Sequence, residues 1–332
     1  MYQDLSVFTG NAHPDLALSI TRYLDIPLGQ CEVFQFSNEN IFVRIKENVR
    51  QRDVFLVQPM VSPVNTRIME LLIMIDAFKR ASAGRITAVV PYYAYGRSDK
   101  KDQPRVPITA RLVANLIETA GADRLVTVDL HAGQIQGFFN IPVDELTALY
   151  MISHHFADKK LEDVVVVAAD EGASKRARNV AQSLRAPLAI IEKRRSGDDE
   201  TTEVLNVIGE VAGLQAIIVD DEVLTGSTII EGATVLLERG ARGVYAACTH
   251  ALLSNSAVSR ICESPIQELV VTDTVPLSEE KLLPKITVLS LAPLIGEAIR
   301  RIHTGQSVGE LFHEVENEVG NIVQVGRQSP GQ

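Results

Sequence analysis

Short, continuous runs of apolar residues recur along the chain and alternate with segments whose apolar positions repeat every three or four residues. The runs are rich in β-branched residues, which is typical of parallel strands covered on both faces. We predict strands at residues 54–57, 86–90, 125–128, 164–169, 188–191, 216–219, 244–248 and 269–272. A shorter alternating segment at residues 41–45 predicts one further strand.

The segments between these strands each present one apolar helical face. The predicted faces are Ile68, Leu71, Leu72 and Ile75; Leu112, Val113, Leu116, Ile117 and Ala120; Ala177, Val180, Ala181 and Leu184; and Ile229, Ala233 and Leu236. Regular alternation of strands and helices predicts an α/β fold with mainly parallel sheets flanked by helices.

The alternation runs through both halves of the 332-residue chain, a length that favours two domains. The best boundary lies near residues 141–155, so we predict domains at 1–148 and 149–315. A last helix near residues 295–302 would pack back onto the first domain. The polar segment 316–332 is predicted to be a disordered tail.

Charge and composition exclude several classes of protein. The formal net charge is −10, whereas a general nucleic-acid binder is usually basic. No run approaches the roughly 18 apolar residues that a membrane helix needs, and the start of the chain lacks the pattern of a secretory signal. Three widely spaced cysteines fit neither a disulfide framework nor a zinc site. We therefore predict a cytoplasmic protein that binds neither nucleic acid nor membrane.

The sharpest local signal is a strand followed by two carboxylates, Asp220 and Asp221, and the small-residue turn Thr225, Gly226, Ser227 and Thr228. We expect the strand to end at the carboxylates, at the edge where α/β sheets bind ligands. Free amides of the turn and the start of the next helix would suit a phosphate, and the carboxylates would suit ribose hydroxyls or hydrated magnesium. An ordinary helix start, with Thr or Ser as the N-cap, is the alternative.

Three other segments at strand ends carry candidate chemistry, and each has a plain structural alternative. Asp170 follows a second buried strand and is either a ligand for a hydroxyl or magnesium or a helix N-cap. The cations 193–195 follow the strand 188–191 and are either a phosphate site or a solvated patch. His131 follows another strand and is either a ligand or a structural histidine.

Two loops complete the candidate chemistry. The long charged segment 92–105 suits a lid over a ligand, and an exposed loop is its alternative. Residues 36–40 combine an aromatic ring with amides and a carboxylate, which would suit a purine, but the residues alone favour a plain turn.

The order of several longer motifs resembles the ribose-phosphate pyrophosphokinase family over residues 5–312. The resemblance rests on residues 8–12 (Phe-Thr-Gly-Asn-Ala), 95–99 (Tyr-Gly-Arg-Ser-Asp), 106–110 (Val-Pro-Ile-Thr-Ala), 128–139 (Val-Asp-Leu-His-Ala-Gly-Gln-Ile-Gln-Gly-Phe-Phe), 273–278 (Asp-Thr-Val-Pro-Leu-Ser) and 297–302 (Glu-Ala-Ile-Arg-Arg-Ile). It implies two phosphoribosyltransferase-like domains, the first on the ATP side and the second on the ribose 5-phosphate side. It also implies homodimers that build a homohexamer.

The reaction implied by the resemblance is transfer of the β,γ-diphosphoryl group of magnesium-bound ATP to the 1-hydroxyl of ribose 5-phosphate, with AMP leaving. Matching positions assign roles to residues of this chain. Lys193 and Arg97 would be catalytic, and His131 and Asp170 would be associated with Mg²⁺. The ATP-binding set is Phe36, Asn38, Glu39, Asn40, Arg97, Ser98 and His131. The set for ribose 5-phosphate is Arg195, Asp220, Asp221, Leu224, Thr225, Gly226, Ser227 and Thr228.

The chain departs from the family pattern at three of these positions. Leu224 stands where the family usually has a third acid, Asn40 stands where it often has Glu, and Ser98 stands where it usually has Gln. Two alternatives therefore stay open beside an active enzyme. One is a catalytically weakened homologue that regulates an active partner. The other is a phosphoribosyltransferase, whose ribose loop would look similar but which has no need of the ATP-side segments.

Overall fold

Two compact units make up the computed structural model, which describes residues 4–195 and 203–311. The first unit takes the described residues up to Thr147, together with Thr274–Pro276 and Ser290–Val308. The second takes Ala148–Asp273, Leu277–Leu289 and the described residues from Gly309. The predicted tail 316–332 lies outside the described residues.

The first unit is built on a five-stranded parallel sheet with the order β1-β4-β5-β6-β7. Its strands are β1 (Leu5–Thr9), β4 (Asp53–Val57), β5 (Arg85–Val90), β6 (Arg124–Val128) and β7 (Val143–Leu146). An antiparallel hairpin of β2 (Cys31–Gln35) and β3 (Ile41–Ile45) accompanies the sheet. Every residue of β4 is buried, as expected for a strand covered on both faces.

Among its described residues, this unit has four α-helices. They are α1 (Pro14–Leu24), α2 (Val64–Arg80), α3 (Thr109–Ala120) and, from near the end of the chain, α8 (Ala292–Thr304). The core joins the buried face of α2 to the central strands, since Leu71 and Ile75 cluster with Val54 and Leu56. The last helix packs on α1, where Tyr23 Oη donates to Glu297 Oε2 at 3.1 Å.

The second unit has a seven-stranded sheet with the order β10-β9-β8-β11-β12-β13-β14, parallel except for β10. The strands are β8 (Val164–Ala168), β9 (Leu188–Arg195), β10 (Glu203–Ile208), β11 (Gln215–Val223), β12 (Gly243–Ala251), β13 (Ile266–Thr272) and β14 (Ile286–Leu289). The helices are α4 (Leu149–Asp158), α5 (Ser174–Leu184), α6 (Ser227–Glu238) and α7 (Asn255–Glu263). The predicted α/β class with mainly parallel sheets is confirmed in both units.

Two strands run further than their apolar cores predict. The strand β11 continues through the acidic residues to Val223, and β9 continues through the cations to Arg195. Pairing with neighbouring strands explains both extensions, because Glu222 pairs with His250 of β12 and Arg195 pairs with Glu203 of β10. The expectation that these strands end at Asp220 and Ile191 was therefore wrong.

The predicted apolar faces are buried or half-buried, except at two positions of α3. On α3, Val113 and Ile117 are buried, but Leu112 and Leu116 are 54% and 40% exposed. An apolar stripe wider than the underlying sheet leaves its outer positions in solvent. In the described ranges 4–195 and 203–311, no helix combines the length and apolar character needed to cross a membrane.

Candidate functional site

Three strands of the second unit bring predicted site residues to the same edge of the sheet. Lys193 lies on β9, Asp170 follows β8 and Asp220 lies on β11, and these strands are neighbours in the order β9-β8-β11. The register pairs Ala168 with both Ile190 and Val219. The three candidates therefore follow adjacent backbone positions at the carboxyl edge, where α/β sheets bind ligands. The side chains of Lys193 and Arg195 lie outside the described part of the chain.

Asp220 and Asp221 form a tightly coupled carboxylate pair. Asp221 is buried, and its backbone amide donates to Asp220 Oδ1 at 2.8 Å. Burial, followed by the hydrogen bond and negative charge of Asp221, raises the pKa of Asp220 to about 8. Asp170 adds a smaller contribution in the same direction. The pair therefore holds a proton in the free protein. A bound cation or a donating sugar hydroxyl would favour the ionised carboxylates and release that proton.

Cys248 lies on the neighbouring strand and pairs in register with Asp220. Its thiol is fully buried, and burial, reinforced by the charges of Asp220 and Asp221, raises its pKa well above the ordinary value. A thiol with a raised pKa stays protonated and is a poor nucleophile. Cys248 therefore has a packing role beside the acidic pair.

The phosphate-loop candidate forms the link between β11 and α6. Gly226 is the N-cap of α6 in a left-handed conformation with φ of 73° and has no side chain to cap the helix. Thr225 Oγ1 accepts only a long hydrogen bond, 3.5 Å, from Ser227 N. The alternative of a Thr or Ser N-cap is therefore wrong here. Uncapped amides at a helix start favour an anion, and a glycine at positive φ gives the backbone this turn without strain.

Leu224 lies in the same link and is 46% exposed. Its carbonyl oxygen accepts a hydrogen bond from Ser254 N at 2.7 Å. The residue keeps its backbone role in the loop, but its apolar side chain offers no group to a sugar or phosphate.

Arg260 of α7 reaches this loop and was not predicted as a site residue. Its Nη1 atom donates to Ser227 Oγ at 2.8 Å and to the Thr225 carbonyl oxygen at 3.3 Å. Thirty-odd residues separate it from the loop, so no local motif could have found it. The available signal was indirect: α7 follows β12, the parallel neighbour of β11, so its start lies at the same sheet edge.

Asp170 has a local structural role in addition to its place at the edge. Its Oδ1 atom accepts a hydrogen bond from Ala173 N at 2.8 Å, while Ala173 itself is the N-cap of α5. Among the described residues, no hydrogen-bond donor contacts Asp170 Oδ2. The carboxylate thus fastens the turn through one oxygen and presents the other at the exposed edge.

In the first unit, the segment 92–105 is anchored over its first part. Tyr93 is buried and its hydroxyl donates to Ala110 O at 2.9 Å, and burial raises its pKa. Asp99 is also buried and accepts from Gln134 Nε2. Only residues 100–105 are exposed throughout. The freely exposed part of the loop is therefore shorter than the sequence predicts.

Arg97 and His131, both exposed, are brought close by the loop's backbone. A methyl group placed on Gly96 would lie 3.1 Å from His131 Cβ. Glycine thus allows the Arg97 loop to pack directly against His131. The ATP-side candidates Arg97, Ser98 and His131 occupy one part of the first unit.

The adenine candidates form the tip of the β2–β3 hairpin. Phe36 N donates to Asn40 O at 2.9 Å, and Asn40 N donates to Asn38 Oδ1 at 3.2 Å. Glu39 takes a positive φ of 67° to close the turn. The Phe36 ring is 48% exposed and lies 5.1 Å from Phe34 and 5.7 Å from Phe42, centroid to centroid. The hairpin thus presents an aromatic surface suited to stacking.

Metal ligands do not gather into a complete protein cage. Across residues 4–195 and 203–311, no three His, Cys, Asp or Glu side chains are grouped so that they could hold a metal ion. Magnesium, however, is commonly bound through one or two carboxylates, with water and substrate phosphates completing its shell. Asp170 fits that pattern through its outward oxygen. An imidazole nitrogen suits magnesium poorly, so His131 would act through water or a phosphate.

Comparison with known proteins identifies the family. Residues 5–121 match the model of the N-terminal domain of ribose phosphate pyrophosphokinase, and residues 199–313 match the phosphoribosyl synthetase-associated domain. The ribose-phosphate pyrophosphokinase of Caldanaerobacter subterraneus is 54% identical over 93% of this chain and 98% of its own. That of Corynebacterium ammoniagenes is 50% identical over 93% and 98%.

A solved structure agrees with these relatives. The phosphoribosylpyrophosphate synthetase from Mycobacterium smegmatis is 45% identical to this chain and superposes with a TM-score of 0.86. The match covers 91% of this chain and all of the other. Fold, motif order and full-length similarity lead to one conclusion: the chain belongs to the ribose-phosphate pyrophosphokinase family.

Proposed function

We propose that this protein is a ribose-phosphate diphosphokinase. It transfers the β,γ-diphosphoryl group of Mg²⁺-ATP to the 1-hydroxyl of ribose 5-phosphate, giving phosphoribosyl pyrophosphate and AMP. The observation that carries the proposal is similarity over the whole length, 54% identity across 93% of the chain, to a protein with that name. At the sheet edge, Asp170 and Asp220 offer carboxylates for a cation or sugar hydroxyls, and the start of α6 offers backbone amides for a phosphate.

The second unit would bind ribose 5-phosphate. The amides of 225–228 would hold the phosphate at the start of α6, and Asp220 and Asp221 would accept hydrogen bonds from sugar hydroxyls. Leu224 contributes its backbone to the loop. Arg195 would add positive charge near the phosphate.

The first unit would bind ATP. Phe36 would stack on adenine, and Asn38, Glu39 and Asn40 at the same hairpin tip would offer amide and carboxylate groups to its edge. Arg97, Ser98 and His131 would meet the phosphates. The close packing of Gly96 on His131 supports a joint role for this group.

Catalysis would depend on positioning and on charge. Diphosphoryl transfer needs little covalent work from the protein, because the attacking hydroxyl and the leaving group must chiefly be held in line. Lys193 and Arg97 would stabilise charge that develops on the transferring group. Closure of the exposed loop segment 100–105 would exclude water, which competes with ribose 5-phosphate as an acceptor.

Asp170 would hold magnesium together with the ATP phosphates, and His131 would be associated with the same ion through water or a phosphate. When bound, the ion neutralises phosphate charge and fixes the donor geometry. The proton on the Asp220–Asp221 pair would leave as cation and sugar bind, because both favour the ionised carboxylates.

The deciding experiment mixes purified protein with Mg²⁺, ATP and ribose 5-phosphate and measures AMP. Formation of AMP that depends on ribose 5-phosphate is expected. A chain that binds ATP but forms no AMP, even though it raises the rate of an active relative, would instead be a regulatory homologue. A chain that does not bind ATP but consumes phosphoribosyl pyrophosphate with a base would be a phosphoribosyltransferase.

Assembly and location are also part of the proposal. Family membership supports a homodimer that builds to a homohexamer, and sedimentation of the purified protein tests it. The substrates are metabolites of the cytoplasm, where we place the protein. The described residues contain three free cysteines, which suits that reducing compartment.

A further inference from the structure

Arg260 makes two hydrogen bonds to the phosphate-loop candidate from outside it. Its Nη1 atom lies 2.8 Å from Ser227 Oγ and 3.3 Å from Thr225 O. A guanidinium group has five N–H donors, and both bonds use the same nitrogen. Among the described residues, no further hydrogen bond is made by its other two nitrogens, and the side chain is exposed. Arg260 therefore contacts the loop through Nη1, and its Nε and Nη2 donors remain available for a ligand.

The bond to Ser227 fixes the direction of the serine hydroxyl. An arginine can only donate, so Ser227 Oγ is the acceptor and must direct its own proton elsewhere. Thr225 Oγ1 lies 3.1 Å from Ser227 Oγ, and Ser227 is the first residue of α6. A charge-assisted bond also polarises the hydroxyl and makes it a stronger donor. The result is a Ser227 hydroxyl that is ready to donate toward an anion at the helix start.

The charge of Arg260 has a second consequence. The loop follows directly on three consecutive acidic residues, 220–222, in a chain whose net charge is −10. A sugar phosphate that approaches this strand meets repulsion unless a local cation offsets it. Arg260 is such a cation, and its hydrogen bonds keep it at the loop.

We propose that Arg260 is a positioning residue for the phosphate of ribose 5-phosphate, acting through the Ser227 hydroxyl. This inference rests on the proposed function of the same loop. Arg260 also lies in the last turn of α7, where a cation complements the helix dipole. A role limited to that dipole would affect stability and leave sugar-phosphate affinity unchanged.

The test compares Arg260→Gln with Arg242→Gln as a matched control. Arg242 is an exposed arginine of the same unit that pairs with Asp163 at 3.0 Å, at the amino end of the strands. For Arg260→Gln we expect the dissociation constant of ribose 5-phosphate by calorimetry, and its KM, to rise about tenfold. The kcat and the KM for ATP should stay within about twofold. Arg242→Gln should match the wild type.

Two further variants test the route through Ser227. Arg260→Lys keeps the charge and the dipole interaction but not the planar fork, so it should recover part of the affinity. Ser227→Ala should weaken ribose 5-phosphate by itself, and the double variant with Arg260→Gln should be at most about twofold worse. Fully multiplicative effects would contradict action through Ser227.

Other outcomes separate this inference from the proposed function. Wild-type affinity for ribose 5-phosphate in Arg260→Gln, or an equal loss in Arg242→Gln, would overturn the role of Arg260 alone. If Arg260→Gln fails to fold, the same comparison is made with Arg260→Lys, and unchanged affinity there would overturn the need for the guanidinium. A wild-type protein that binds ribose 5-phosphate but forms no AMP would overturn the proposed function alone. A wild type that does not bind ribose 5-phosphate would overturn both.

Discussion

His303 places its Nδ1 atom 2.8 Å from Asp53 Oδ2, where the last turn of α8 meets the amino end of β4. Asp53 is completely buried, and Arg85 donates to both of its oxygens, with Nε to Oδ1 at 2.8 Å and Nη2 to Oδ2 at 2.5 Å. Arg85 Nη2 also donates to Ile302 O at 3.1 Å. One carboxylate thus fastens a helix from the end of the chain to the sheet of the first unit.

Replacement of Asp53 by Asn should destabilise the protein by about 3 kcal/mol, because it leaves the mostly buried Arg85 guanidinium without its counter-charge. Urea unfolding followed by circular dichroism measures the change. The control is Asp76→Asn, which removes an exposed pair with Arg80 and should leave the urea midpoint unchanged. Equal midpoints for wild type and Asp53→Asn would contradict a stabilising role for this contact.

The acidic pair should make stability depend on pH. The pKa of Asp220 is raised from 3.8 to about 8, so between these values the folded protein holds a proton that the unfolded chain releases. Stability therefore falls as pH rises through that window. The unfolding free energy of wild type, relative to Asp220→Asn, should decrease from pH 5 to pH 8 in buffer with a chelator and without sugar. A difference that does not change with pH would disprove the shared proton.

Lys193 and Asp220 should differ in which kinetic constant they control. Lys193→Ala should lower kcat about a hundredfold or more with little change in ribose 5-phosphate binding, because its charge acts on the transition state. Asp220→Ala should weaken the binding of ribose 5-phosphate, because its contacts are made to the bound sugar. Steady-state kinetics and calorimetry separate the two, with half-buried Lys281→Ala as a control for loss of a lysine. An unchanged kcat in Lys193→Ala would reject its assignment.

Gly226 and Gly305 form a matched pair for testing the loop. Both have φ of 73°, so alanine imposes a similar backbone strain of about 1–2 kcal/mol at either position. A methyl group on Gly226 would lie 3.3 Å from Ile230 Cδ1, whereas on Gly305 it would meet open space. Gly226→Ala should raise the KM for ribose 5-phosphate severalfold, and Gly305→Ala should not. Equal KM values for the two variants would argue against the loop as the phosphate site.

The sequence predicted the buried strands well, because short continuous runs of β-branched residues in an α/β chain usually form buried strands. It did not predict how far a strand extends into polar residues, since the extension of β11 past Asp220 depends on pairing with β12. It also placed Leu112 and Leu116 on the apolar face of a helix, but helical spacing cannot tell how wide the covering sheet is, and both are exposed.

The candidate site was predictable where its residues are contiguous and missed where the fold assembles it. The strand, acids and turn of 216–228 stand together in the sequence, so their chemistry could be recognised. Arg260 joins them only because α7 follows the neighbouring strand, and an exposed arginine on a helix carries no signal of its own. The burial of Tyr93 and Asp99 likewise depends on α3 and on residues near Gln134.

The return of α8 to the first unit has a consequence for biosynthesis. When a ribosome has released only the first 150 residues, the surface of α1 is still uncovered and Asp53 still lacks His303. The first unit therefore cannot complete its packing until α8, near the end of the chain, has been synthesised. Domains of a chain usually fold one after another from the amino end during synthesis. The first unit of this protein cannot finish folding in that order.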